Sequence, residues 1–371
     1  MSEAAIQTAI AEAASIRSVR ALMWRRFSKN RLAVVSGVIL VVLYAIALFA
    51  PFFSAYHHDA FHVTFKFAPP QKVHFRDEEG RLSRPFVYAR ERSIDMTTLA
   101  ISYREVKTTK YPIRFFVASE PYKLVGFIPM SVRLYGVDSG ATLFLWGTDT
   151  LGRDILSRVW TGAQVSLSVP LVGTLITIVL GSILGVASAY FGRMVDNAIQ
   201  RIIELLISFP QIPLWIALSA AIPVTWPSGF VYLGVVVILS LIGWGSLARV
   251  VRGKVLAYRQ EEYVMAARVV GSSHWRIINK HLLPGSLSHI IVVATLAIPG
   301  TILGESSLSF LGIGITPPLT SWGVMLKDAQ NVQALVHHLW LAIPGLMIIL
   351  VVLCYNFFGD GLRDAADPFA T

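Results

Sequence analysis

The stretch EEYVMAARVVGSSHWRIINKHLLPG, from Glu261 to Gly285, is polar, basic and compatible with helix, yet it lies between long apolar runs. A short helix is predicted from Glu262 to Gly271, because an acidic residue stands at its start and glycine suits its C-cap. Ser272 or Ser273 can cap a second helix, which Pro284 is expected to stop near its end. The pattern therefore predicts a helix, a turn and a second helix.

The sequence on both sides of this stretch has the composition of a membrane protein. The chain has 371 residues, of which 54% are hydrophobic and 15% are charged. About 20 apolar residues cross a hydrocarbon core of about 30 Å as a helix. Six runs have this length, at residues 32–53, 165–191, 202–222, 230–248, 287–311 and 339–358. We therefore expect an all-α polytopic membrane protein with six transmembrane helices.

The basic residues of the short connections predict the orientation of these spans. They are concentrated before span one and between spans four and five, where residues 249–286 carry seven basic and two acidic side chains. The connection between spans three and four carries none, and the one between spans five and six carries only Lys327. The positive-inside rule then places both termini and the 249–286 loop in the cytoplasm. Membrane orientation thus explains the net charge of +10 better than nucleic-acid binding does.

The spans divide the chain into five parts. Residues 1–31 form a cytoplasmic arm, residues 32–53 the first span, 54–164 an extracytoplasmic loop, 165–358 spans two to six, and 359–371 a cytoplasmic tail.

Two of these parts are expected to be ordered outside the spans. In the arm, Leu22, Trp24 and Phe27 stand among arginines, which favours an interfacial helix over a merely positive flank. The extracytoplasmic loop is rich in aromatic and β-branched residues between prolines and glycines, which predicts a subdomain of mixed or β character rather than disorder.

The 249–286 loop is longer than a connection requires. A handful of residues suffices to join two helices. A topological anchor explains its charge, but it does not explain the Ala266–Ala267 pair, Gly271 and the Leu283–Pro284 pair. Docking to a cytoplasmic partner explains both.

These residues carry a resemblance. AARVVGSSHWRIINKHLLP resembles the EAA loop of the permease subunits of ABC importers. Five residues fall in register with that motif, namely Ala266, Ala267, Gly271, Leu283 and Pro284. Met265 and His281 replace its glutamate and isoleucine, and Glu262 stands where peptide-type permeases often shift the acidic residue.

Further segments resemble the C-type permease subunit of dipeptide and oligopeptide importers. They are WRRFSKNRLAV, WGTDTLGRDILSRVWTGAQVSL, ELLISFPQIPL, GESSLSFLGIGITPP and GDGLRDAADP. Their order covers the chain apart from the external loop. The resemblance implies a type I ABC importer permease fold in the bacterial inner membrane.

The resemblance also implies which partners the chain has. Two cytoplasmic ATPase subunits, which bind ATP and Mg²⁺, would drive this chain and a homologous second permease subunit. An extracytoplasmic solute-binding protein would deliver a peptide or a similar small solute. The chain itself is expected to have no catalytic residue, metal or cofactor, and its one Gly-Lys pair, Gly253–Lys254, lacks the glycine spacing of a Walker A loop.

The residues expected to act fall into three sets. The coupling set, expected to contact an ATPase subunit, is Glu262, Tyr263, Ala266, Ala267, Arg268, Gly271, Leu283 and Pro284. The candidate translocation-path set is Pro210, Pro213, Pro299 and Glu305. The candidate extracytoplasmic contact set is Asp149, Arg153, Asp154 and Arg158.

Each of the last two sets has an alternative. Prolines that break the backbone ladder at membrane depth fit a cavity, but packing explains them equally well. A charge in a span is costly, so Glu305 fits either a functional site or a solvated outer rim. The contact set fits either a partner or a solvated interfacial helix.

A secondary transporter or a channel subunit, not driven by ATP, is the alternative function. The chain shows no evident internal repeat, few central charges and no filter-like motif. The substrate is left open among dipeptides, oligopeptides, opines, nickel chelates and oligosaccharides.

Overall fold

An arginine-rich helix and the first span begin the fold. The computed structural model describes residues 19–76, 80–94, 96–97, 101–138, 140–223 and 225–366, with side chains from residue 23 onward. Helix α1 runs from Val19–Lys29 and α2 from Arg31–Leu48, and the Asn30 side chain between them accepts a hydrogen bond from the Ala33 N–H at 3.1 Å. A short α3, Ala50–Phe53, ends the first span.

A helix, α1, is present where the interfacial helix is predicted. Trp24 is exposed, but Phe27 is buried and packs edge-on against Phe358, with ring centroids 5.5 Å apart. Phe27 therefore attaches α1 to the last helix instead of facing lipid. The predicted interfacial role of Leu22 lies outside the described side chains.

The external loop contains the predicted β structure. Strands β1 (His74–Arg76), β2 (Leu82–Ile94) and β3 (Ile101–Pro112) form an antiparallel sheet in that order, and β4 (Arg114–Leu124) pairs with β5 (Ile128–Gly136) as a hairpin. Val87, Ile113 and Leu143 form a small core between them.

The second span is longer than the sequence pattern indicates. Helix α4, Ile155–Phe191, begins ten residues before the predicted start at 165. Its 37 residues rise about 55 Å at about 1.5 Å each, well beyond a hydrocarbon core of about 30 Å. Helix α4 is therefore longer than the hydrocarbon core, and its first part bonds to the segment after the first span, where the Tyr56 N–H donates to the Ser157 hydroxyl.

The third span is broken, which corrects the expectation of one helix over residues 202–222. Helices α5 (Arg193–Ser208) and α6 (Gln211–Ala220) meet at 90°. Pro210 lacks an N–H and disfavours helical backbone at the preceding residue, and Phe209 is accordingly extended. Among the described residues, five helices are long and apolar enough to span a membrane, and six spans result if the bent pair counts as one.

Helix α7, Ser228–Tyr258, packs along α4. A Cβ on Gly185 would lie 2.6 Å from the Ala248 carbonyl oxygen, so only glycine permits this approach. Gly173, Gly181 and Gly185 allow the close contact of the two helices, because each faces a residue of α7.

The stretch from Glu261 to Gly285 forms three elements and begins a fourth. They are α8 (Glu262–Val269), α9 (His274–Ile277), a π-turn (Ile278–Leu282) and the start of α10 (Leu283–Phe310). The expectation that Pro284 stops the second helix is wrong, because α9, the π-turn and α10 are continuous. Pro284 stands in the first turn of α10, just after the wider π-turn. Its missing N–H and its ring are tolerated there.

The outer connection and the last span complete the bundle. Helices α11 (Trp322–Leu326) and α12 (Val332–His337) precede α13 (Ile343–Ala366). Helix α13 continues to Ala366, into the predicted cytoplasmic tail that begins at residue 359. Gly361 lies directly against Ala33 and Phe27, which fixes the end of α13 to the first two helices.

Candidate functional site

Helix α8 is a short, well-terminated helix at the turn between α7 and α10. The Gly271 N–H donates to the Arg268 carbonyl and the Ser272 N–H to the Ala267 carbonyl, both at 3.0 Å, which is the Schellman pattern. Gly271 has φ 78°, a left-handed conformation that glycine adopts at little cost. The next helix starts with Ser273, whose side chain accepts from the Arg276 N–H at 3.3 Å. Both predicted helix signals are confirmed.

The inner face of α8 is held against the bundle. Val264 is fully buried in a cluster with residues of α4, α7 and α10, and Ala267 is half-buried against the same cluster. The Arg268 guanidinium lies over the ring of Tyr190, 5.4 Å from its centroid, and Tyr190 is the penultimate residue of α4. These three side chains, spaced at i, i+3 and i+4, form one helical face.

Two further hydrogen bonds join the segments on either side of α8 to the end of α4. The Tyr190 hydroxyl lies 2.6 Å from Nδ1 of His274 in α9. Arg259, just after α7, donates from Nη1 to the Ala189 carbonyl at 3.0 Å. The end of α4 is therefore bonded to the segments on both sides of α8.

An ion pair near the end of α4 joins α7 to α5. Arg252 of α7 donates from Nε and Nη2 to the two carboxylate oxygens of Asp196, at 2.7 and 2.6 Å. Ser188 of α4 donates to the same carboxylate at 2.5 Å. Paired donation of this kind fixes the orientation of both side chains, so α4, α5 and α7 are joined at one place.

The outer face of α8 is exposed and largely apolar. It consists of Glu262, Met265, Ala266 and Val269, and it continues into Val270. Val269 is 87% exposed and Val270 83%. An exposed apolar patch of this kind is a candidate interaction surface. We call these five residues the coupling surface.

The structure divides the predicted coupling set between the two faces. Glu262 and Ala266 belong to the coupling surface, whereas Ala267 and Arg268 lie on the inner face. Tyr263 is exposed beside His281, with ring centroids 5.9 Å apart, and Leu283 is half-buried in the bundle. Met265, Val269 and Val270 are not in the predicted coupling set, although three apolar residues in a polar loop are a recognisable pattern.

Glu305 is completely buried, which contradicts the solvated-rim alternative. Ser309 donates to its carboxylate at 2.8 Å and accepts from the Ile315 N–H at 3.0 Å. Ser166 of α4 lies 3.4 Å from the carboxylate and accepts from the Trp322 N–H at 3.0 Å. Glu305 thus connects α10 with α4 and with the segment before α11.

The other candidate path residues lie on different elements. Pro210 and Pro213 are exposed on the bent α5–α6 pair, whereas Pro299 is buried in α10. The bent pair packs on α10 through Trp215, which lies against Gly304.

The candidate extracytoplasmic contact set is an internal network. Asp149 accepts from Arg153 Nε at 2.7 Å and is paired closely with Arg158, and Asp328 lies 3.8 to 3.9 Å from both arginines. Asp149, Asp154 and Arg158 are buried. The expectation of an exposed charged set is therefore corrected for these three. The network ties the start of α4 to the outer connection after α11.

Asp154 caps α4 from a buried position. Its carboxylate accepts from the N–H and the hydroxyl of Ser157, at 2.8 and 2.6 Å. Burial raises the pKa of Asp154 to about 6, and these two hydrogen bonds oppose that shift. The cap therefore has a free-energy cost, because the ionised carboxylate is poorly solvated.

One group of possible metal ligands occurs among the described residues. His57, His58 and Asp59 follow the first span, and their ligand atoms lie within 4.8 Å of one another. His58 Nε2 is 3.3 Å from Asp59 Oδ2, and the two form an ion pair when the imidazole is protonated.

Two family models match this chain. One, described as binding-protein-dependent transport system inner membrane component, matches residues 177–371. The other, described as the N-terminal TM domain of oligopeptide transport permease C, matches residues 18–70. The strands of the external subdomain lie between the two matches.

Relatives and a solved structure show further similarity. The dipeptide transport system permease protein of Bacillus subtilis is 42% identical over 225 residues, which are 60% of this chain and 68% of that protein. The oligopeptide transport system permease protein of the same organism is 29% identical over 344 residues, 92% of this chain and 87% of that protein. An inward-facing MetNI methionine ABC transporter structure matches with a TM-score of 0.43 and 17% identity, over 55% of this chain and 94% of that chain.

Proposed function

We propose that cytoplasmic ATPase subunits drive this chain through α8, because the chain belongs to the family of binding-protein-dependent transport system inner membrane components. The chain is a permease subunit of an ABC importer. The observation that carries the proposal is the division of α8 into an exposed coupling surface and an inner face bonded to the end of α4.

The two faces of α8 have complementary tasks. An ATPase subunit that binds ATP and Mg²⁺ would grip the coupling surface in a groove. Val264 and Arg268 on the inner face would pass the displacement to Tyr190 and so to α4. The Arg252–Asp196 pair would carry it to α5 and α7. Motion at the cytoplasmic side would thereby reach the helices that cross the membrane.

The charge distribution supports a cytoplasmic position for α8. The residues from 249 to 286 carry seven basic and two acidic side chains, and short loops rich in lysine and arginine stay on the cytoplasmic side. With six spans, both termini then lie in the cytoplasm as well.

We further propose that the transported solute is a peptide or a similar small molecule. The relatives named above are dipeptide and oligopeptide permeases. A homologous second permease subunit would complete the path, and the exposed Pro210 and Pro213 on the bent pair leave a surface available for it. A solute-binding protein on the outer side would deliver the substrate.

Charge on the coupling surface tests the ATPase contact. We expect Met265→Asp and Val269→Asp to abolish co-purification of the ATPase subunits and ATP-driven uptake in reconstituted vesicles, because each places a carboxylate in a desolvated interface. Val332→Asp introduces the same change at another exposed valine, on the outer connection, and it should leave both measurements unchanged.

Two results would contradict the proposal. Normal uptake and normal co-purification in both coupling-surface variants would show that α8 is not the ATPase contact. Uptake that proceeds without ATP would instead favour the secondary transporter or channel.

A further inference from the structure

The hairpin formed by β4 and β5 ends in an apolar tip. The sequence LVGFIPM, residues 124–130, contains no charged or polar side chain. Phe127 is 73% exposed, and Ile128 and Val125 are also accessible. Hairpin tips in water are ordinarily polar. We propose that residues 124–130, the hairpin tip, are inserted in the outer leaflet of the bilayer and that lipid is their partner.

The level of the tip along the spans supports this position. Val125 and Gly126 line a surface groove together with Tyr44 and Leu48 of α2. Helix α2 begins at Arg31, and the 17 steps to Leu48 rise about 26 Å, which approaches the hydrocarbon thickness of about 30 Å. The tip therefore lies at the level of the outer part of the hydrocarbon core.

Helix α4 gives the same level independently. Leu167 and Leu171 line the same groove. The 20 steps from Leu171 to the cytoplasmic end of α4 at Phe191 rise about 30 Å. The Tyr44 hydroxyl donates to the Leu167 carbonyl at 3.2 Å, so the two helices are in register at this height.

Val125, in the turn at the tip, has a backbone conformation that is unfavourable for a β-branched side chain. The Phe127 N–H donates to the Leu124 carbonyl at 3.3 Å, and the two central residues, Val125 and Gly126, have φ of 52° and 83°. Two positive φ values define a type I′ turn, for which asparagine followed by glycine is preferred. A β-branched residue is costly in this conformation. Burial of the Val125 side chain in lipid would offset this conformational cost.

The surroundings of the tip are mostly apolar, and Gln164 and Ser168 are the polar side chains that line the groove beside Tyr44. Leu48 and Leu171 are exposed on the membrane face of the first two spans. Nearer the outer side, Phe116 lies 6.3 Å from Phe52 at the end of the first span. Lys123 is the first charged residue above the tip on β4. A cation beside the tip and aromatic rings farther along the hairpin are typical of a membrane interface.

Lipid fits this surface better than a protein partner does. The apolar residues of the tip extend the lipid-facing surface of α2 and α4, and the tip itself contributes no hydrogen-bonding side chain to fix a specific docking geometry. Protein interfaces usually carry about one hydrogen bond per 100–200 Å². The second permease subunit is therefore the competing occupant that the test must exclude.

Quenching of a fluorophore at the tip tests the proposal. In a Cys354→Ala background, bimane is attached to Phe127→Cys, or to Leu82→Cys, a similarly exposed apolar position on β2. The assembled transporter is reconstituted in phosphatidylethanolamine and phosphatidylglycerol vesicles with or without nitroxide-labelled acyl chains. We expect lipid nitroxide to quench position 127 several-fold more than position 82, and aqueous iodide to show the opposite preference.

Two results would overturn it. Efficient iodide quenching at 127 would show that the tip lies in water. Protection of 127 from both quenchers would show that a protein subunit covers it. A second variant checks the turn: Val125→Asn suits the type I′ turn and should preserve the hairpin, but it should reduce lipid quenching at 127.

Discussion

Arg268 lies over the ring of Tyr190, with the guanidinium 5.4 Å from the ring centroid, so the exposed helix α8 is attached to the last turn of α4. Tyr190 is buried and also contacts His274 through its hydroxyl. One aromatic side chain therefore receives contacts from both α8 and α9.

We expect Tyr190→Leu to reduce uptake per ATP hydrolysed while the ATPase subunits still co-purify. The change removes a cation–π contact of about 0.5–1 kcal/mol together with the hydrogen bond to His274. Tyr190→Phe keeps the ring and should give an intermediate ratio of uptake to hydrolysis. Because Tyr190 is buried, loss of co-purification in these variants would contradict a purely internal role.

Substitution of Gly271 should loosen the end of α8. Its φ of 78° disfavours other residues, but a Cβ there would meet nothing within 4 Å. Gly271→Ala should therefore cost about 1 kcal/mol in local stability through backbone conformation alone. Faster amide hydrogen exchange in α8 is the expected measurement, and Gly271→Asn should show a smaller increase.

Gly185→Ala should destabilise the bundle itself. The new methyl would meet the Ala248 carbonyl oxygen at 2.6 Å and the Val251 Cβ at 2.8 Å. Overpacking of this kind costs about 1–3 kcal/mol, which should lower the thermal midpoint in detergent. Gly253→Ala is the matched control on α7, because nothing lies within 4 Å of its Cβ. An equal midpoint for both variants would show that the α4–α7 contact is looser than described.

Asp154 should make stability depend on pH. Its folded-state pKa is raised by burial from 3.8 to about 6, so the folded state binds the proton more tightly than the unfolded state. The contribution of Asp154 to the free energy of unfolding is fully favourable below about pH 4 and is lost as the pH rises through about 6. Asp154→Asn keeps an N-cap residue without the charge. We expect it to stabilise the protein at pH 7.5, by on the order of 2 kcal/mol, and to have little effect at pH 4.

A control separates this effect from general charge removal. Asp138 forms an exposed pair with Arg114 at 2.8 Å, and Asp138→Asn should change the thermal midpoint little at either pH. A stabilisation by Asp154→Asn that is the same at both pH values would contradict the role of ionisation.

Local sequence patterns predicted the parts of the fold that depend on few residues. Apolar length located the spans, and Gly271 and Ser273 marked the ends of α8 and the start of α9. The pattern failed where a neighbouring turn changes the outcome. The π-turn before Pro284 allows a continuous helix, although proline alone predicts a stop.

The functional faces needed the three-dimensional structure. Adjacent residues such as Ala266 and Ala267 look equivalent in the sequence, but helical periodicity directs one outward and the other toward the bundle. Asp149 and Arg158 were expected at the surface because they are charged, and only the folded chain shows that each neutralises the other in a buried place. The buried carboxylate of Glu305 likewise bonds to Ser166, which is distant in sequence.

The two faces of α8 can change independently of each other. Substitutions at Met265, Val269 or Val270 would alter which ATPase is recognised without disturbing Val264 or Arg268. A permease of this kind could therefore acquire a different motor, or share one with another importer, through a few surface mutations. Its internal linkage from α8 to α4 would remain the same.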